Sequence, residues 1–458
     1  MKVLPSMVGL LVALTAAGLA ASVDSAAEPE RGARAESRAC PAGVAPGTRC
    51  LSGLDSAGAT YWLALPPDWA GTLVVHVHGG PELGEPKAER AAADLTRWSI
   101  WTRAGYAYAA SGFHQGGVAV HSAANDTERV RRLFIAEFGL PKRTVLHGQS
   151  WGAGVAAVLA EMPAAKLAAI PAPPADGRPP FDAVLLTSGV LGGGTQSYDF
   201  RLDLRVVYQA VCANHPLPDE PAYPLWQGLP PGSALTRAEL ARRVDDCTGA
   251  SRPAAQRSAA QQRHLDTITG VIGIAEASLL GHLGWGTWHF QDIVFKRLGG
   301  RNPFGNESVR YRGSPDDAAL NAQVARYRAD PTARTDFGAD TDPQGRIDVP
   351  VLTLQAVHDP VAFVELESTF RDTMRATGTA GHLVQVFTDD SEHSYLSDAE
   401  YVTAMRALLA WVERGEKPTP AELAAQCKSL EPRFEPATGR RFLPDFVPGP
   451  LSARVPAR

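Results

Sequence analysis

Residues 145–154, VLHGQSWGAG, predict a strand that ends in a sharp turn and leads into a helix. The stretch begins apolar and β-branched, and it reaches Ser150 with one glycine two positions before it and another two positions after it. In so tight a turn, side chains at Gly148 and Gly152 would collide with the adjoining strand and helix. The turn strains the backbone at Ser150 and places its hydroxyl at a helix N-terminus, where negative charge is favoured. The pattern predicts a nucleophilic Ser150, and its alternative is a purely structural glycine-rich turn, because this spacing also arises by chance.

Strands and helices alternate on both sides of this turn. Short β-branched or aromatic runs bounded by Gly and Pro predict strands at 59–66, 71–79, 105–113, 143–148, 181–189, 349–360 and 382–390. Apolar or alanine-rich segments predict helices at 121–140, 151–162 and 398–415. The alternation predicts an α/β fold with a mostly parallel, doubly wound sheet. It stops over 191–345, which is mostly helical or irregular and is predicted to be an insertion between two strands of one sheet.

The 458 residues are 45 % hydrophobic, which is enough to bury a large core. The predicted parts are a signal peptide at 1–27, a first core segment at 28–190, an insertion at 191–345, a second core segment at 346–427 and a Pro/Arg-rich tail at 428–458. A net charge of −5 provides no basic field for nucleic acid and no polybasic membrane patch. We therefore expect a small or neutral partner and no nucleic acid.

The N-terminus has the features of a secretory signal peptide. One lysine precedes an apolar run from Met7 to Ser22, and small residues suited to cleavage follow near Ala20 or Ala27. A transmembrane anchor is the alternative, but the run is shorter than the roughly 20 residues that a span needs. We predict a secreted or periplasmic protein without stable membrane insertion.

The five cysteines fit an oxidising compartment. Cys40 and Cys50 are close enough to clip an N-terminal loop, Cys212 and Cys247 share the insertion, and Cys427 is then left over. This connectivity is a hypothesis, since five thiols allow several pairings. The chain has no paired C-x-x-C set and no H-E-x-x-H motif, so we predict neither a metal site nor a cofactor.

A serine nucleophile needs a base, and His393 is the predicted one. His393 lies in DDSEHSYLSD, between the last predicted strand and the last predicted helix. His358 at a strand end and His382 at a strand start are the other histidines beyond the insertion. A solvated loop histidine is the structural alternative for His393.

Asp359 is the predicted third member, because it follows the preceding strand in LQAVHDPVAF and would orient the imidazole of His393. Asp389 and Asp390 are alternatives, but they stand too near the histidine in sequence to reach its ring comfortably from another strand.

The segment HVHGGPE, 76–82, follows a strand and predicts an oxyanion site. Its paired glycines let backbone N–H groups approach an oxyanion, and the N–H of Gly80 together with that of Trp151 would form the hole. His76 and His78 share a strand face, which raises a metal site as a weaker alternative. No further ligand stands at metal-binding spacing, so His78 is expected to brace the loop.

At these residues the chain resembles the α/β-hydrolase superfamily, over about 59–190 and 345–415. The resemblance places Ser150, Asp359 and His393 on the family's nucleophile, acid and histidine positions, in the family's order. It also implies that the insertion forms a cap over the site. HGGP together with SWG is similar to the proline iminopeptidase branch, but Glu82 and Gln149 stand where that branch usually has glycine, which weighs against a peptidase.

Aromatic residues of the insertion are candidate pocket residues. Trp285, Trp288 and Phe290 in GWGTWHF, with the ring of Trp151, are predicted to line an apolar acyl or alcohol pocket, and the cap's own core is the alternative. In YDFRLDLR, the charged residues are expected to form a solvated helix face, and substrate contacts are the alternative: Arg201, Asp203 and Arg205.

The function predicted from these residues is that of a secreted serine hydrolase that cleaves small-molecule or polymer carboxylic esters through an acyl-enzyme. An aminopeptidase or amidase that receives a substrate ammonium on Glu82 or a cap carboxylate is the second hypothesis. A non-catalytic binding protein that keeps this fold is the third.

Overall fold

The computed structural model describes residues 35–170, 179–434 and 442–458. The predicted signal peptide, 1–27, lies outside the described residues.

The described part of the chain contains one sheet of nine strands. The sheet is mostly parallel, as predicted. Its strands are β1 Glu36–Arg38, β2 Arg49–Leu54, β3 Thr60–Leu65, β4 Thr72–Val77, β5 Ala107–Ser111, β6 Arg143–Gln149, β7 Ala183–Thr187, β8 Val351–Ala356 and β9 Leu383–Thr388. The strand order is β1-β2-β3-β5-β4-β6-β7-β8-β9, with antiparallel pairing from β1 through β3 to β5 and parallel pairing from β5 to β9. The antiparallel edge strands β1 and β2 precede the first predicted strand.

Fifteen α-helices accompany the sheet in the described residues. They are α1 Arg90–Arg97, α2 Ile100–Arg103, α3 Val120–Phe138, α4 Trp151–Ala160, α5 Ala164–Ala168, α6 Gly193–Ser197, α7 Asp199–Cys212, α8 Arg237–Thr248, α9 Ala259–Ile272, α10 Leu279–Gly284, α11 Asp317–Gln323, α12 Pro331–Thr341, α13 Glu365–Ala376, α14 Asp398–Arg414 and α15 Pro420–Phe434. Two π-helical turns, Trp285–His289 and Asp292–Arg297, follow α10.

Helices cover both faces of the sheet because the apolar strands bury their side chains on both sides. Val75 and Leu146 belong to the core that includes α3 and α4, whereas their neighbours Val74 and Val145 belong to the core that includes α1, α2 and α14. Successive residues of a strand point to opposite faces, so continuous apolar runs such as that of β6 are the sequence of a doubly covered strand.

Helices α6 to α12 all lie between β7 and β8, which are parallel neighbours in the sheet with Val184 opposite Val351. The chain therefore leaves the sheet after β7 and returns beside the same strand.

No single described helix is long and apolar enough to cross a membrane; one pair bent by 88°, Ala259–Ile272 with Glu276–Arg297, meets that requirement only when the two helices are taken together.

The helix α7 corrects one expectation. Arg201, Asp203 and Arg205 are only 3 %, 1 % and 1 % exposed, so these side chains are buried instead of solvated. Side chains from distant segments cover Asp203: Tyr311 donates a hydrogen bond to it at 2.7 Å, and Arg458 forms an ion pair with the same carboxylate at 2.9 Å.

The structure contains both suggested disulfides, Cys40–Cys50 and Cys212–Cys247, and the buried Cys427 belongs to neither. The C-terminal residues have more structure than the sequence pattern indicates. Helix α15 continues through position 428 to 434, and residues 451–453 form a helical turn.

Candidate active site

Ser150 lies in the turn between β6 and α4 and has φ 56° and ψ −123°. This positive φ is strained for a residue with a side chain. A Cβ at Gly148 would lie 2.5 Å from the carbonyl oxygen of Gly152, and a Cβ at Gly152 would overlap the carbonyl groups of Val77 and His78. Both positions therefore require glycine, for the steric reason inferred from the sequence.

Ser150, His393 and Asp359 form one hydrogen-bonded chain. The Oγ of Ser150 lies 2.8 Å from Nε2 of His393, and Nδ1 of His393 lies 3.0 and 2.8 Å from the two carboxylate oxygens of Asp359. If Nδ1–H donates to Asp359, then Nε2 keeps the lone pair that accepts the hydroxyl proton of Ser150. The arrangement has the geometry of a nucleophile, a base and an acid that orients the base.

The carboxylate of Asp359 is fixed by its own loop. Its Oδ1 accepts hydrogen bonds from the backbone N–H groups of Val361 at 2.8 Å and Ala362 at 2.9 Å, and its Oδ2 accepts one from Gln355 at 3.3 Å. The side chain is fully buried, whereas that of His393 is 21 % exposed. A buried acid and a partly accessible base fit the roles of orienter and proton carrier.

The alternative histidines and acids lie elsewhere. Nε2 of His358 is 3.2 Å from Asp389, and its side chain is 64 % exposed. The backbone N–H of His358 donates to the carbonyl of Asp390, and His382 ends a short helical turn before β9.

The loop after β4 brings Gly80 toward the start of α4. Strands β4 and β6 are parallel neighbours with Val77 opposite Gly148, so their carboxyl ends meet at one edge of the sheet. Gly80 has φ 69°, a conformation that favours glycine, and Trp151 is the first residue of α4. The two predicted oxyanion donors thus belong to adjoining segments.

Arg90 of α1 holds this loop. Its Nη2 donates to the carbonyl of Gly79 at 2.9 Å and its Nη1 to Glu82 at 2.9 Å, while Nδ1 of His78 lies 3.0 Å from the same Gly79 carbonyl. The N–H of Gly80 belongs to the peptide group of that carbonyl and points the opposite way. Arg90 therefore orients the predicted oxyanion donor, and Glu82 is an ion-pair partner of Arg90.

Arg97, at the end of α1, tethers the loop of His393. It donates to the carbonyl of Ser394 at 2.5 Å and to the side chain of Gln149 at 3.3 Å, and its guanidinium carbon lies 4.3 Å from the ring centre of Tyr395. The amide of Gln149 in turn donates to Oγ of Ser394. Sequence reasoning missed Arg97, since no local pattern relates residues 297 positions apart.

His76 and His78 have structural partners. Nδ1 of His76 lies 3.0 Å from Nδ1 of His147, and the ring of His78 stacks on Phe113 with 4.1 Å between ring centres. Burial lowers the pKa of both His76 and His78, so both rings are neutral at pH 7. Within residues 35–170, 179–434 and 442–458, no group of three or more His, Cys, Asp or Glu side chains is arranged to hold a metal ion.

The predicted pocket aromatics divide into three environments. Phe290 is fully buried in the cap core, stacked on Phe304 with 4.0 Å between ring centres, which corrects its prediction as a substrate contact. Trp288 lines a cavity of about 280 Å³ whose lining contains none of the three hydrogen-bonded residues described above. Trp285 stacks on His289 at 4.0 Å, and Nε2 of His289 lies 3.2 Å from the carbonyl of Pro81, beside Gly80.

The ring of Trp151 is almost entirely buried, with 4 % exposed. It packs edge-on against Phe113 at 6.2 Å, and its indole interacts with the hydroxyl of Tyr198 in the insertion. Trp151 therefore connects the turn of Ser150 with the insertion.

No protein-family model and no curated protein sequence matches the chain. Among solved structures, it is similar to Candida antarctica lipase A, with 12 % identity, a TM-score of 0.40 and coverage of 86 % of this chain and 90 % of that one. Feruloyl esterase B from Aspergillus oryzae has 12 % identity, a TM-score of 0.40 and 81 % coverage of each chain. Puromycin hydrolase has 15 % identity and a TM-score of 0.34, with coverage of 82 % of this chain, which spans only 39 % of the length of that enzyme.

These similarities indicate no activity for the chain, so its fold is assigned on the chain's own geometry. The sheet runs from an antiparallel edge into parallel strands, Ser150 occupies a strained turn between a central strand and a helix, and Asp359 and His393 follow the last two strands. Together these features identify the α/β-hydrolase fold.

Proposed function

We propose that the protein is a serine hydrolase that cleaves carboxylic esters through an acyl-enzyme intermediate. The observation that carries this proposal is the hydrogen-bonded chain from Ser150 through His393 to the buried Asp359, with distances of 2.8 Å at both links. A serine hydroxyl is a poor nucleophile unless a base removes its proton, and here the base and its orienting carboxylate are in place.

The reaction has two halves. Ser150 Oγ attacks the ester carbonyl while Nε2 of His393 takes its proton, and Asp359 stabilises the imidazolium that forms. The backbone N–H groups of Gly80 and Trp151 bind the oxyanion of the tetrahedral intermediate. His393 then returns the proton to the leaving alkoxide, and water attacks the acyl-enzyme by the same steps in reverse.

The pairing of Glu82 favours an ester over a peptide with a free amino terminus. An aminopeptidase needs a carboxylate that receives the substrate ammonium group, and the predicted candidates are Glu82 or a cap carboxylate. The Oε1 of Glu82 lies 2.9 Å from Nη1 of Arg90, so this carboxylate is already engaged in an ion pair. Small-molecule or polymer esters remain the proposed substrates.

We also propose that the protein acts in a secreted or periplasmic location. Cys40–Cys50 and Cys212–Cys247 support this location, because disulfides persist in oxidising compartments.

The proposal is tested by active-site labelling with a fluorophosphonate probe. Wild type and Ser251→Ala, which alters an exposed cap serine, should label, and Ser150→Ala should not. Parallel rates on nitrophenyl butyrate, a feruloyl ester and a prolyl arylamide then separate ester from amide cleavage. Absence of labelling in the wild type refutes a competent serine site, and turnover of the arylamide alone refutes the ester preference.

A further inference from the structure

Arg201 of α7 is a buried cation with no acidic partner in the described part of the chain. It is 3 % exposed, and its polar contacts are the carbonyl of Ser197, which accepts from Nη1 at 2.9 Å, and Nδ1 of His282, 3.4 Å from Nη2. Its Nε–H has no hydrogen-bond partner. Burying a charge without an opposite charge is unfavourable, because the protein interior does not replace the lost hydration of the ion.

Arg205, one turn further along the same helix, shows what a structural arginine has in this environment. Its Nη1 donates to the carbonyls of Gly228 at 2.9 Å and Gly286 at 3.0 Å and to the hydroxyl of Thr287 at 3.1 Å, and its Nη2 donates to Tyr223 at 3.2 Å. Its Nε–H, like that of Arg201, has no hydrogen-bond partner, so the two arginines differ in the acceptors of their Nη groups. Arg201 lacks such a set of oxygen acceptors.

Aromatic rings surround Arg201. Its guanidinium carbon lies 5.3 Å from the ring centre of Tyr198, 4.5 Å from that of Phe200 and 4.7 Å from that of Trp285. Cation–π contacts of this kind stabilise a desolvated cation, but they supply no opposite charge. Burial lowers the pKa of Arg201 to about 9, so the group is still protonated at neutral pH.

The neighbours of Arg201 also have unused polar atoms. The indole Nε1–H of Trp285 is buried without a hydrogen-bond partner, and so is Nδ1 of His289, whose ring stacks on that indole. The Nε–H of Arg201, the indole N–H of Trp285 and Nδ1 of His289 are thus three buried polar atoms without partners in one cluster, and such atoms are expected in the lining of a ligand site.

This cluster adjoins the candidate active site at three points. His282, which contacts Arg201, has Nε2 at 2.9 Å from the carbonyl of Pro360, the residue after Asp359. The hydroxyl of Tyr198 interacts with the indole of Trp151, the residue after Ser150.

The third point is His289, whose Nε2 lies 3.2 Å from the carbonyl of Pro81, the residue after Gly80. Residues around Arg201 thus contact the immediate neighbours of the proposed acid, nucleophile and oxyanion donor.

We infer that Arg201 binds a carboxylate of the substrate, so that the preferred esters carry a negative charge. Guanidinium and carboxylate form paired, charge-assisted hydrogen bonds, and the free Nε–H of Arg201 supplies one of the donors. The inference rests on the proposed ester hydrolysis and names its substrate class.

Two matched substrate pairs test it. Mono-4-nitrophenyl adipate is compared with 4-nitrophenyl methyl adipate, and 4-carboxyphenyl butyrate with its methyl ester, so that the charge is placed on the acyl side or on the alcohol side. In at least one pair, the wild type should have a kcat/KM about tenfold to a hundredfold higher for the charged ester. Arg201→Gln should bring that ratio near one and keep the neutral ester within about threefold of wild type. Arg242→Gln, which removes an exposed cap arginine, should keep the wild-type ratio.

An equal loss of activity on charged and neutral esters in Arg201→Gln would assign Arg201 a structural role and overturn the inference. A wild type with no preference in either pair would also overturn it.

If Arg201→Gln does not fold, inhibition of the wild type decides. Competitive inhibition by adipate but not by adipamide supports the carboxylate site, and equal inhibition by both overturns it. Turnover of neutral esters with labelling of Ser150 but no charge preference refutes this inference alone. Absence of labelling refutes the proposed function as well.

Discussion

Replacing Arg90 by methionine tests whether the orientation of one peptide group controls the rate. The Arg90 side chain is 20 % exposed and donates to the Gly79 carbonyl at 2.9 Å. Without that bond, the Gly79–Gly80 peptide is free to rotate, and the N–H of Gly80 no longer points steadily at the oxyanion. The oxyanion exists only in the tetrahedral species, so we expect the loss in kcat and a KM within about threefold of wild type.

The size of the effect has two bounds. Loss of a complete oxyanion donor costs about 3 kcal/mol, and a hydrogen bond to a charged group contributes about 1.5–3 kcal/mol. Nδ1 of His78 still lies 3.0 Å from the same carbonyl and retains part of the orientation. We therefore expect kcat to fall by about tenfold to fiftyfold.

Asp94→Asn is the matched control for Arg90→Met. Asp94 lies 2.8 Å from Nε of Arg90 and is 3 % exposed, so either change breaks this ion pair and lowers stability. Only Arg90→Met removes the contact to Gly79. Rates on nitrophenyl butyrate are measured below the melting temperature of both variants. Unchanged kcat in Arg90→Met, a loss confined to KM, or an equal loss in Asp94→Asn would refute the role assigned to Arg90.

Three further predictions concern the acid, a buried carboxyl and the cap. Asp359→Asn should lower kcat about 10⁴-fold at an unchanged melting temperature, because the amide no longer holds His393 in the required tautomer. Near-normal turnover of this variant would show that another residue is the acid. Burial raises the pKa of Glu367 from 4.5 to about 7. Between these two pH values the folded state keeps the proton on Glu367 whereas the unfolded chain loses it, so the free energy of unfolding falls as the pH rises from about 4.5 to about 7. Glu367→Gln should therefore raise the free energy of unfolding by roughly 3 kcal/mol near pH 8 and by nothing near pH 4; urea titrations that show an equal gain at both pH values would contradict this. Replacing Cys212 and Cys247 by alanine opens a loop with a sequence separation of 35 and should cost about 4 kcal/mol of stability, and calorimetry that shows no change would contradict it.

The catalytic geometry was accessible from sequence because each element is marked locally. The run before Ser150 and the small residues after it specify a strand and a helix by composition alone. Asp359 and His393 each follow an apolar strand, and the carboxyl ends of parallel strands meet at one edge of a sheet. Arg90 and Arg97 were missed, because α1 carries no comparable pattern and its partners lie in other loops.

The buried charges of α7 were unpredictable for a different reason. In the sequence, Arg201, Asp203 and Arg205 alternate with leucines, and charged side chains are ordinarily expected at the solvent-exposed surface. What buries them comes from far along the chain: Arg458 for Asp203, and the carbonyl of Gly286 for Arg205.

The same local pattern therefore leads to different physical outcomes. Asp203 has an opposite charge and a phenol as partners. Arg205 has no ion pair among the described residues, but its two Nη groups donate to four oxygen acceptors. Arg201 is equally buried and likewise has no ion pair among the described residues, but its Nη groups have only one carbonyl and one imidazole nitrogen as acceptors. A cost that the protein leaves uncompensated is offset when a ligand supplies the missing charge. The difference between Arg205 and Arg201 is for this reason the difference between a structural arginine and one that selects a substrate.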